Sequence, residues 1–133
     1  MSRLVDFTRG QAPDTEGRYL HDIWTWDDIA LESVHDFIQW LFPLKEKSGF
    51  NPTAPTLTDD VIQAFKSREE LKSRLLRSLD VMLAFYGLYR QPGGEAVQIV
   101  RSDEYEERKE VWVRPSNHNH LRLTRILTSL RLM

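Results

Sequence analysis

SREELKSRLLRSLDVMLAFYGLYR, residues Ser67 to Arg90, is the stretch on which the fold turns. Ser67 and Glu70 have the spacing of a capping box, in which each side chain satisfies a backbone amide left orphaned by the first helical turn. A helix over about Arg68 to Arg90 follows. Its first half is amphipathic, with Leu71, Leu75 and Leu79 in line and Lys72, Arg74 and Arg77 off that line. From Val81 the run VMLAFYGLY is apolar on all sides, which a helix sustains only when other elements cover it. The stretch predicts a central buried helix, stopped by Pro92, Gly93 and Gly94. Asp80 lies among these apolar neighbours, and a buried carboxylate must be paired, so Arg122 or Arg125 is its expected partner through a bidentate guanidinium bond.

Upstream, Thr25 followed by Asp27 and Asp28 marks a helix start, with a hydroxyl to cap free amides and carboxylates to suit the positive end of the dipole. Val34, Phe37, Ile38 and Leu41 share one face of that helix, which is expected to run to Phe42 because Pro43 denies it a further turn. Its other face carries Asp28, Glu32, Asp36 and Gln39. Trp24, Trp26, Trp40 and Trp112 read as core, with a peptide-binding groove as the alternative, and Trp40 falls in register with Phe37 and Leu41. PLKEKSGFNPTAPTLT (Pro43 to Thr58), with three prolines and a glycine, is a loop that Phe50 and Leu57 should pin to the core. Thr58 opens a short helix to about Lys66, with Val61, Ile62 and Phe65 inward.

Downstream, AVQIV (Ala96 to Val100) reads as a short strand or extended chain, and DEYEERKE (Asp103 to Glu110) as a solvated loop. VWV (Val111 to Val113) could pair with AVQIV as a minor hairpin. Ser116 opens the last helix, with Leu123, Ile126, Leu127 and Leu130 on its apolar face. That helix reaches Met133 without a terminator, which leaves a longer natural chain open. The expected fold is all-α: a compact bundle of about four main helices around a central one, in a single domain spanning residues 1–133.

The composition of these 133 residues narrows the function classes. A net charge of -2, from 18 basic and 20 acidic residues, is not that of a strongly basic nucleic-acid protein. With no cysteine there is no disulfide, thiolate nucleophile or cysteine metal site. No apolar run approaches the roughly 20 residues that span a bilayer, and no signal peptide opens the chain. A soluble cytoplasmic protein is expected, with the nucleus as the alternative in a eukaryotic cell. No glycine-rich phosphate loop, nucleophile elbow or H-E-x-x-H motif is present, so the reading is non-enzymatic and without cofactor.

HDFIQWLFPL (His35 to Leu44), SGFNPTAPTLT (Ser48 to Thr58) and VRPSNHNHLRLTRILTSLRL (Val113 to Leu132) are unusual words, and GRYLHDIWTWDDIALESV (Gly17 to Val34) extends them upstream. Together they resemble the conserved region of the opioid growth factor receptor family, from about Gly17 to the end. The resemblance implies a mostly helical soluble domain. It also implies kinship with a nuclear-envelope-associated receptor for an enkephalin-type growth-inhibitory peptide. It carries over no catalytic residue.

Two clusters could carry function. His35, Asp36 and Gln39 lie on the polar side of the first long helix, and Glu32 with His35 forms an E-x-x-H pair. With Asp36 that pair is the basis of an alternative, a small metal-dependent enzyme or metal protein, although a di-iron carboxylate site needs two such pairs and two further glutamates. Asn117, His118, Asn119, Arg122 and Arg125 begin the last helix, offering amides, imidazoles and guanidiniums to a ligand or partner. The bland reading ties Asn117 to His120 to the PTAPT loop. Between Arg114 and Met133 there are four arginines and no acid, yet no aromatic residue is interleaved with them, so nucleic-acid binding is disfavoured. A peptide or protein partner is expected; the oligomeric state is open.

Overall fold

The computed structural model describes residues 2–49, 51–91, 98–114 and 117–133. Among them the chain forms eight helices and one small sheet: α1 (Arg3–Thr8), α2 (Leu20–Trp24), α3 (Asp28–Ser33), α4 (Ile38–Leu41), α5 (Asp59–Ser67), α6 (Glu69–Phe85), β1 (Leu88–Gln91), β2 (Gln98–Arg101), α7 (Tyr105–Trp112) and α8 (Asn119–Leu132). The predominantly helical class is that expected. The helices are more numerous and shorter than about four.

The helix expected over Thr25 to Phe42 is two helices. Asp27, not Thr25, caps α3, accepting from the Ala30 amide at 2.9 Å; Thr25 instead donates its hydroxyl to the Asp22 carbonyl at the end of α2. After Ser33 the chain extends at Val34 (φ -88, ψ 126) and becomes helical again at Ile38. Carbonyls at and around the break find distant side-chain donors. Arg122 donates to Leu31 and Val34, Arg18 to Asp36, and Asn51 Nδ2 also to Asp36. Such donors make the break affordable, since buried carbonyls must be paired somewhere, and the break turns Phe37 wholly into the core.

Helix α6 is central as expected, but its ends differ. Ser67 belongs to α5 and donates back to the Gln63 carbonyl, while Arg68 takes the N-cap position of α6, where its side chain does not cap the helix amides. Ser67 and Glu70 therefore form no capping box at the start of α6. At the other end the helix stops at Phe85, because Gly87 adopts φ +80, the left-handed conformation that ends helices and that side chains resist. The stop expected of Pro92, Gly93 and Gly94 lies outside the described residues. Leu88–Gln91 then pairs antiparallel with Gln98–Arg101, Leu88 opposite Arg101 and Gln91 opposite Gln98. The described part of AVQIV therefore pairs with the tail of FYGLYR rather than with VWV.

The charged run DEYEERKE is not a loop but the start of α7, which runs into VWV. Its ridge closes on the end of α6: Arg108 Nε donates to the Phe85 carbonyl at 2.8 Å and Trp112 Nε1 to the Tyr86 carbonyl at 3.0 Å. Two carbonyls that a helix end leaves orphaned are thus satisfied from outside the helix. A β-carbon at Gly87 would lie 2.7 Å from the Tyr105 backbone, so this closure requires glycine.

The core gathers Leu4 and Phe7 of α1, Leu20 and Ile23 of α2, Phe37, Trp40 and Phe42 around α4, Phe65 of α5, and Leu71, Met82, Phe85 and Tyr86 at α6. Trp40 is 1% exposed and packs on Phe7 with ring centroids 5.1 Å apart, a core tryptophan as read. Leu57 pins the proline-rich loop; Phe50 and the cap expected of Ser116 lie outside the described residues. Leu127, expected inward, is 68% exposed. Asp80 is half-exposed and held by Arg90 through two bonds of 2.7 and 3.0 Å, not by Arg122 or Arg125. Among the described residues no helix is long and apolar enough to cross a membrane.

Candidate functional site

A cavity of about 640 Å³ opens where the chain before and within α4, the loop through Leu44 and Ser48, and the first three turns of α8 meet. Its wall carries His35, Gln39, His118, Arg122 and Arg125, together with Ile38, Leu44, Ser48, Leu121, Thr124 and Thr128. Two polar clusters far apart in sequence thus share one recess. Arg122 of α8, bonded to the carbonyls of Leu31 and Val34, ties that helix to the break after Ser33.

Asp36 is drawn away, its Oδ1 accepting from Arg18 at 2.8 Å. Asn117 and Asn119 also lie off the wall. Asn117 Oδ1 accepts from the Asn119 amide and its Nδ2 donates to the Val111 carbonyl, both at 2.8 Å, which joins α8 to the end of α7. Asn119, fully buried, donates to Glu32 Oε2 at 3.2 Å and accepts from the Tyr86 hydroxyl at 3.3 Å. His120 meets the Trp112 carbonyl at 2.7 Å. These residues fasten α7, α3 and α6 around the start of α8, not the PTAPT loop. That loop is held instead by Asn51 and Thr53.

On the wall, His118 Nε2 stands 2.9 Å from Glu32 Oε1, and its ring meets that of His35 edge-on at 5.3 Å. Arg122 is 5% exposed and spends its guanidinium on backbone carbonyls. Its pKa is lowered by burial, against the opposing influence of Tyr86 and Glu32. Arg125 is likewise lowered by burial, with Glu46 pulling the other way. Its Nη1 is buried and, among the described residues, has no hydrogen-bond partner. Gln39 is 5% exposed; its Nε2 donates to the His35 carbonyl, and its Oε1 has no partner among the described residues.

Glu32, His35 and Asp36 do not converge. The Glu32 carboxylate is taken by His118 and Asn119, and that of Asp36 by Arg18. Among the described residues no group of three His, Asp or Glu side chains could hold a metal ion. The hydroxyls of Thr124 and Thr128 donate back along α8 to the carbonyls of His120 and Thr124. The arrangement offers hydrogen bonds, positive charge and apolar contact to a bound molecule.

Sequence reasoning missed Leu44, Ser48, Leu121, Thr124 and Thr128. Leu121 is 67% exposed. It lies off the stripe of Leu123, Ile126 and Leu130, and with Thr124, Arg125 and Thr128 it repeats at three and four residues. That second stripe was the available signal.

The sequence profile of the opioid growth factor receptor conserved region matches residues 10–133. The chain belongs to the opioid growth factor receptor family. The opioid growth factor receptor of Homo sapiens is 40% identical over 119 residues, covering 86% of this chain and 17% of that protein. Opioid growth factor receptor-like protein 1 of Mus musculus is 37% identical over 118 residues, covering 86% of the chain and 25% of its own length. The Xenopus tropicalis protein of that name is 38% identical over 107 residues, covering 80% and 20% respectively. The chain thus spans a quarter or less of each of these family members. No solved structure matches it.

Proposed function

We propose that this chain is a non-enzymatic binding module whose cavity between α4 and α8 receives a short peptide segment. One observation carries the reading: Gln39 and Arg125 both line one cavity, and each holds a buried polar atom, Oε1 and Nη1, without a partner among the described residues. Buried polar groups without partners cost stability, and a site that binds a polar ligand is where such a cost is retained. The volume lies within the roughly 300 to 1,000 Å³ of small-ligand pockets. Membership of a family named for a growth-factor receptor supports the same class.

The test is titration calorimetry of the chain with an enkephalin-type peptide and with a scrambled control. Saturable heat is expected for the first, weakened at least tenfold by Gln39→Leu. Absence of heat at two temperatures, with the protein folded, would remove this peptide as ligand; equal heat from the scrambled peptide would remove sequence recognition.

A further inference from the structure

We infer that the cavity captures the free C-terminal residue of a peptide: the carboxylate on Arg125, the last amide N–H on Gln39 Oε1, and an apolar side chain against Ile38, Leu44 and Leu121. This rests on the peptide reading above and specifies which part of the peptide is read. The two unmatched groups ask for opposite things. A guanidinium that lines the cavity, with one N–H unpartnered among the described residues, calls for an anion, and a carboxylate suits its fork. A carboxamide oxygen with no partner among the described residues calls for a donor. The terminal torsion of a glutamine is broad and soft, so the amide turns toward an incoming N–H.

Few ligands supply both groups beside an apolar substituent. A phosphate diester or a fatty acid brings the anion but no N–H, leaving Gln39 unmatched. An internal peptide segment brings the N–H, but any carboxylate it has is that of an Asp or Glu side chain, which takes the place of the apolar substituent. A free amino acid brings an ammonium toward a wall already holding Arg122 and Arg125. The last residue of a peptide carries amide N–H, side chain and carboxylate on one α-carbon, and terminal carboxylates are recurrent recognition targets. Leu121, exposed on the first turn of α8, gives the side chain an apolar rim.

The test uses N-acetylated tripeptides ending in leucine, as free acid, as C-terminal amide, and as free acid with the last peptide nitrogen methylated. Calorimetry on the unaltered chain is expected to show the free acid binding at least tenfold tighter than either other form. Arg125→Gln should erase the acid-over-amide ratio, and Gln39→Leu the penalty for methylation, with melts confirming that both variants fold. The ratios on the unaltered chain decide the matter even if a variant fails to fold. Saturable binding with acid and amide equal would overturn C-terminal capture while leaving peptide binding in place. Silence from all three probes, with a peptide of internal sequence binding, would overturn it too; silence from every peptide would overturn both readings.

Discussion

Tyr86 is fully buried, yet among the described residues its hydroxyl bonds only to Asn119 Oδ1. Burial raises its pKa well above the ordinary value near 10, with Arg122 opposing and Glu32 assisting. For such a group the sign is fixed. Below the ordinary value both folded and unfolded phenols are protonated; above it the unfolded chain releases a proton that the folded chain keeps, so stability falls as pH rises from about 10 toward the folded value. Denaturant melts between pH 7 and 11 should show this decline, and Tyr86→Phe should flatten it while costing about 1 kcal/mol at neutral pH. An unchanged alkaline slope in the variant would place the titrating group elsewhere. At this scale the sequence identified polar residues better than their partners. His35, Gln39, His118, Arg122 and Arg125 could be picked out as recognition chemistry, but Arg122 finds its acceptor 91 positions away at Leu31, and no local spacing encodes that.

Elements were legible where a pattern is local and obscured where a distant donor intervenes. The faces of α5 and α6 followed from apolar spacing. The break between α3 and α4 did not, because its carbonyls are satisfied by Arg18, Asn51 and Arg122. Gly87 was the readable stop inside FYGLYR, hidden by the apolar residues around it. The α7 helix was masked by its charge; Tyr105 and Trp112, seven apart, are the side that packs. Arg122 links two elements, and removing its guanidinium leaves carbonyls at the break unpaired. Arg122→Met is expected to cost about 3 kcal/mol or more, with amide exchange accelerated at residues 31–38 beyond that loss. Uniform acceleration across α5 and α6 as well would mean that the arginine stabilises the whole fold and not the break.

For the molecule as a whole, the family match begins at residue 10, yet α1 precedes it and contributes Leu4, Val5 and Phe7, each no more than 2% exposed. Burying such side chains is worth about 1.5 to 3 kcal/mol each, against a total stability of roughly 5 to 15 kcal/mol for a domain. Deleting residues 1–9 should therefore leave a chain at the edge of folding, which circular dichroism melts will show. A truncated chain with an unchanged midpoint would place α1 outside the cooperative core. The short α1 helix offered no strong signal of its own, since six residues display less than two turns of pattern.

The bonds that fasten this fold join remote stretches of chain: Arg122 to Leu31, Arg74 to Thr8 across 66 positions, and Trp24 to Ser78 across 54. Each requires a long loop to close before it returns any stability. Helical proteins owe their speed of folding to contacts between near neighbours, and this one forgoes much of that advantage. Its refolding should be slower than that of a helical bundle of equal length, with the Arg122 linkage among the last to form.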